Sequence, residues 1–189
     1  MNLNEIEKWA LLFYILIQKA EKEFPEKVEN IANTFLLSNI NKISFNNFLE
    51  KALKGNHVIE CSSSVGFLND KIMKFLKSKK INFHGSRIIT LKTSFIKGII
   101  NTHDNKLVKE NWYNILDYLK YSSIFWDSKN NEIIYLSIND NNHYLKMSVS
   151  LSANMDNPSI NEISRFDFPN NNTVEQTELK QISEMEVIQ

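Results

Sequence analysis

After Tyr121 the hydrophobic period of this chain falls from 3.6 residues to 2 and stays there until Phe168. Four alternating segments, SSIFWDS, EIIYLSI, YLKMSVSLS and SINEISRFDF, are separated by KNN, NDNN and ANMDNP. Connectors this short and this rich in Asn and Asp join antiparallel neighbours, so the simplest topology is a four-stranded β-meander. The third segment alternates cleanly. Leu145, Met147, Val149 and Leu151 face one way, and Tyr144, Lys146, Ser148, Ser150 and Ser152 face the other. One face is therefore expected to pack on helices and the other to carry a polar row.

Upstream the period is helical. One helix is expected from about Asn4 to Phe24, broken at FPEK, where Pro25 can occupy a first helical turn. A second covers Lys27 to Leu37. A third opens at Ser44 as N-cap, carries Phe45, Phe48, Leu49 and Leu53, and stops at Gly55. HVIEC then reads as a short strand and SSSVGFLNDKIMKFLKSKK as a loop followed by a helix. RIITL is another strand, TSFIKGIINTH a helix, and Lys109 to Lys120 a further helix. Helices first and a sheet last make an α+β fold, with N-terminal helices followed by a four-stranded antiparallel meander packed on helices. The expected divisions are a helical region over 1–55, an α+β domain over 56–169, and a polar, patternless tail over 170–189 that frays.

Composition narrows the class. The chain has 189 residues, 42% of them hydrophobic, enough for one good core. Its longest apolar run, Trp9 to Ile17, is too short to span a bilayer and begins in acidic residues, so no membrane span or leader is expected. One cysteine, Cys61, fits a reducing compartment and places the chain in the cytoplasm. Lys+Arg and Asp+Glu balance at 22 each, but Lys71, Lys74, Lys77, Lys79, Lys80, Arg87, Lys92, Lys97, Lys106 and Lys109 are opposed in their window only by Asp104. Such a stretch can attract phosphate, although charge runs often only solvate helix faces.

The sequence contains no glycine-rich phosphate loop, paired-cysteine site, HExxH or nucleophile elbow, so the reading calls for no metal and no cofactor. What remains is His, Lys, Arg, Ser and Tyr, which suits RNA cleavage by transesterification: a base for the 2′-OH, an acid for the leaving 5′-oxygen, and cations over the phosphate. His103 ends the apolar stripe of Phe95, Ile96, Ile99 and Ile100 at a helix C-terminus and titrates near neutral pH. Lys146, Ser148 and Arg165, on neighbouring strands, are candidates for the phosphate. Lys97 and its neighbouring lysines would gather RNA, and Tyr135 and Arg87 are further candidates for substrate contact. A capping or core histidine would occupy position 103 equally well.

The order VIECSSSVGFL, IITLKTSFIKGIINTH, ENWYNILDYLKYSSIFWDS, EIIYLSI, YLKMSVSLS, INEISRFDF resembles the phage and polymorphic-toxin nuclease domains of the barnase–EndoU–colicin–RelE superfamily. The nearest likeness is to the domain fused C-terminally to MuF-type phage head proteins. It covers about Val58 to Phe168, by pattern and order of elements. His103 falls on that family's helix-terminal histidine, and Asn161, Ile163 and Ser164 fall on the Asn, Ile and Ser/Thr positions of its final strand. The chain departs in having KYSS where the family often has a proline, and Phe166 in place of a tyrosine. The resemblance implies a metal-independent ribonuclease of phage or toxin type. His103 would be the acid/base residue, Ser164 a phosphate or 2′-OH contact, and Arg165 and Lys146 stabilisers of the phosphorane. The substrate would be RNA, tRNA among the candidates, with an immunity protein as antidote. Two other readings stay open: a catalytically inactive accessory or inhibitor protein that docks a host protein, and a nucleic-acid binder working through its lysines.

Overall fold

The computed structural model describes residues 3–54, 60–81, 83, 86–102, 112–138, 144–151, 161–167 and 183–188. Helix α1 spans Leu3–Glu23; Pro25–Lys27 forms a 3-10 turn, and α2 follows over Val28–Leu36. Helix α3 covers Asn39–Lys54. Its start corrects the expected cap: the Ser38 hydroxyl accepts the Asn41 N–H at 3.2 Å, so Ser38 satisfies the orphan donor. Ser44 lies inside the helix, 3% exposed.

Strand β1 is Ser62–Phe67, α4 is Asp70–Ser78, β2 is Ile88–Lys92 and α5 is Thr93–Thr102. The SSSVGF stretch expected as loop is thus a strand. HVIEC does not supply it: His57 to Ile59 lie outside the described residues, and Glu60 and Cys61 are irregular. Asn69 caps α4, its side-chain oxygen accepting the Ile72 N–H at 2.9 Å. Helix α6 spans Ile115–Tyr121, and the meander follows as β3 Ser123–Asp127, β4 Glu132–Ile138, β5 Tyr144–Ser150 and β6 Asn161–Asp167. The β3–β4 turn closes on Asp127, whose carboxylate accepts the Lys129 and Asn130 amides, with Asn131 left-handed at φ 57°. A last strand, β7, is Glu186–Val187.

The seven strands among the described residues join one sheet in the order β1-β2-β6-β5-β4-β3-β7. Every neighbouring pair is antiparallel except β2 with β6. The architecture is α+β, helices preceding an antiparallel meander. The expected frayed tail is corrected at its end, because β7 pairs with β3 and Ile188 is 5% exposed in the main core.

One face of the sheet carries Leu91, Ile133, Tyr135, Met147 and Val149 into that core, with Leu76 of α4, Ile96 of α5, Ile115 of α6 and Phe45, Phe48, Leu49 and Ala52 of α3. Each buried phenylalanine there contributes about 2–3 kcal/mol. Helix α3, which lies before the division expected at residue 55, therefore packs into the sheet's core. Helices α1 and α2 form a second cluster of Phe13, Ile17, Ala20, Val28, Ala32 and Leu36, closed by Phe67 of β1 and Ile88 of β2. Phe13 stacks on Phe35, centroids 4.4 Å apart. Gly66 lets α6 approach β1: a Cβ there would sit 3.1 Å from Leu119 Cδ1 and 3.2 Å from Ile89 Cδ1. Among the described residues no helix is long and apolar enough to cross a membrane.

Candidate functional site

Strand β2 runs into α5 with no connecting residue, and the junction is tied down. Thr93 N–H donates to the Cys61 carbonyl at 3.0 Å, and Cys61 N–H donates to Thr93 Oγ1 at 3.2 Å. The Glu60 carboxylate accepts from the hydroxyls of Ser94 at 2.8 Å and Thr93 at 3.3 Å, a negative group at a helix N-terminus. Ile96 is fully buried, Phe95 meets Trp112 edge-to-face at 6.2 Å, and Ile99 is half-buried against the core. The described part of the apolar stripe read from TSFIKGIINTH, Phe95, Ile96 and Ile99, is thus on the face that α5 buries. Lys97 is half-buried beside it. His103, the next residue after the helix, lies outside the described residues.

The polar row of β5 is in place, but its surroundings differ from expectation. Direct cross-strand partners share a face, so Lys146 lies with Leu136, and Ser148 with Ile134. Lys146 is 6% exposed and Ser148 1%, so the polar row the alternation predicted is buried here. Alternation told the two sides of the strand apart; it carried no information on whether the second side is covered. On the other flank of β5, Lys146 stands opposite Asp167 and Ser148 opposite Arg165 in Cα register. The register then shifts: Val149 pairs with Ile163, so Ser164 is the extra residue of a β-bulge, a feature that re-aims side chains and is common beside active sites. The side chains of Ser164 and Arg165 lie outside the described residues. Burial opposes ionisation of the Asp127 carboxyl, but hydrogen bonds from the Asn130 side chain and the Asn130 and Lys129 amides, with the charge of Lys146, hold it below the usual carboxylate range.

Tyr135 does not join this row. It pairs with Met147 and Ile124, on the core face, and is 2% exposed. Its hydroxyl has no hydrogen-bond partner among the described residues, and burial pushes its pKa up. Arg87 is engaged elsewhere in the fold. Its Nε donates to the Leu68 carbonyl at 2.8 Å, Nη2 meets Asp70 Oδ1 at 2.6 Å, and the guanidinium lies 4.3 Å from the Phe67 ring centroid. With 12% of its side chain exposed, Arg87 is a clamp between β2 and α4. Lys71, Lys74, Lys77, Lys79 and Lys80 are exposed along and just after α4. That helix packs on the core face through Ile72 and Leu76, so these lysines lie across the sheet from Lys146.

Sequence reasoning missed a hollow of about 260 Å³ between α2, β1, α6 and the meander. Val65, Leu119, Ile124 and Tyr135 wall it, with Glu29 and Asn33 among its polar residues. Its lining comes from distant parts of the chain, and a glycine inside a strand, Gly66, was the one local signal of close packing there. The Glu29 carboxylate is already engaged, accepting the Asp70 N–H at 3.1 Å. No family model matches this chain, and no curated protein and no solved structure is significantly similar to it.

Proposed function

We propose that this protein is a metal-independent endoribonuclease of phage or toxin type. The observation that carries the reading is the β5–β6 register, in which Lys146, Ser148, Ser164 and Arg165 are neighbours around a β-bulge. In the proposed reaction the 2′-oxygen attacks phosphorus as His103 takes its proton. The P–O5′ bond then breaks as the proton held by His103 passes to the leaving 5′-oxygen, and a 2′,3′-cyclic phosphate remains. Lys146 and Arg165 balance the charge of the phosphorane, and Ser164 contacts the phosphate or the 2′-OH. Cleavage of total RNA in EDTA by wild type and by His103→Ala tests this. The expected loss is about a hundredfold or more, in line with general acid–base catalysis. Equal, or equally undetectable, cleavage by the two chains would sink the reading.

A second reading, a protein-binding module without chemistry, draws on a different observation. Leu11, Leu12 and Ile15 are 57%, 48% and 53% exposed on the outer side of α1. Expression separates the two. A nuclease is toxic without an antidote and is relieved of toxicity by His103→Ala; a docking module shows neither effect.

A further inference from the structure

The stretch Ser183–Ile188 meets the sheet through three kinds of contact. Its backbone extends the ladder: Val187 pairs with Phe125, Glu186 with Trp126, and the Ile188 N–H donates to the Ile124 carbonyl at 2.8 Å. Its side chains alternate as an added strand requires, Ile188 entering the core at 5% exposed and Val187 facing out at 49%. Its charges are complemented. Glu186 meets Lys79, the residue closing α4, at 2.7 Å, and Glu184 meets Lys129 of the β3–β4 turn at 3.4 Å. Lys79 also lies 5.5 Å from the centroid of the Phe75 ring, whose edge tilts against Trp126.

A strand edge supplying main-chain bonds, a socket for one aliphatic side chain and two flanking cations are the elements of peptide recognition by strand addition. What fills them is small: a two-residue strand and one buried side chain. A unit of that size opens at a free energy well below that of global unfolding.

We infer that the β3 edge, with Lys79 and Lys129, is a strand-accepting peptide site. Its ligand is an acidic–aliphatic segment of the pattern Glu-x-Glu-x-Ile, paired to the edge through its last three residues and led in by a turn that carries the first Glu, and the chain's own Glu184–Ile188 occupies it in cis. The inference does not depend on ribonuclease activity. A tethered segment competes at a high effective concentration, so an incoming peptide binds only when the cis copy is weakened.

The test uses the full chain carrying Ile188→Glu and a fluorescent peptide of residues 183–189, SEMEVIQ, followed by anisotropy. The peptide is expected to bind this variant at least tenfold more tightly than wild type. Added salt, or Lys79→Glu with Lys129→Glu, should weaken that binding, and a peptide carrying the same Ile-to-Glu change should not bind. Equal binding to variant and wild type, or none to a variant with the circular dichroism of wild type, overturns the inference. Should Ile188→Glu fail to fold, the double variant Glu184→Lys, Glu186→Lys frees the edge without touching the core. Its failure to bind the same peptide overturns the inference as well.

Discussion

Helices α1 and α3 both belong to the N-terminal stretch, yet they stand in different relations to the sheet. Helix α3 inserts Phe45, Phe48, Leu49 and Ala52 into the core shared by β2, β4 and β5. Among the described residues α1 places none in that core; Phe13, Ile17 and Ala20 join α2 in a satellite cluster that includes Phe67 and Ile88 of the sheet. Contiguity in sequence is therefore a poor guide to cooperative units here. The boundary between the two hydrophobic clusters runs between α2 and α3, near Ser38, rather than at residue 55.

The largest effect should come from Phe48→Ala. A fully buried phenylalanine removed from the main core costs about 3–5 kcal/mol, and the loss should appear as one cooperative shift of the denaturation midpoint. Ile17→Ala should cost less, about 2–4 kcal/mol, and unevenly. Amides of α1 and α2 should exchange faster while those of β4 and β5 keep their protection, as expected of a satellite cluster. Simultaneous loss of protection in both regions would show that the molecule is one cooperative unit.

The smallest effect concerns the contact between the two units. Burial raises the Glu21 pKa, with the nearby Arg87 charge opposing the rise. A carboxyl whose folded pKa exceeds its unfolded one weakens the fold when ionised, so Glu21→Gln should raise the melting temperature slightly at neutral pH. The gain should vanish as pH falls below the unfolded carboxylate range, where Glu21 is protonated in both states. A lower melting temperature at pH 7 would mean that attraction to Arg87 outweighs burial.

The meander was legible because each strand carries its own alternation and each turn its own Asn or Asp; β4 begins and ends where EIIYLSI does. Strand β1 was not, because SSSVGF has no alternation to read. Its serines are held in a ladder by β2, with Ser63 and Ser64 only 6% and 5% exposed, a non-local cause. Strand β7 escaped for the same reason: two residues at the end of a polar stretch become a strand only against the β3 edge. For the candidate site, sequence alternation correctly put Lys146 and Ser148 on the side away from Met147 and Val149. It could not foresee their burial, which depends on what lies over the sheet. Arg87 is one of two arginines in a lysine-rich chain, and the structure gives a reason for an arginine at this place. One guanidinium serves a carbonyl, a carboxylate and a ring at once, which a lysine cannot do.

The joint between β2 and α5 has a mechanical consequence. With no intervening residue, and with Glu60 and Cys61 gripping the first two positions, the helix is a rigid arm clamped at its root. Ten residues give that arm a length of about 15 Å. A tilt of a few degrees at Thr93 is thereby magnified into a displacement of about an ångström at its far end. The far end of α5, at Thr102, takes its direction from this root together with the packing of Phe95, Ile96 and Ile99, and changing Glu60 is a way to move that end without touching it.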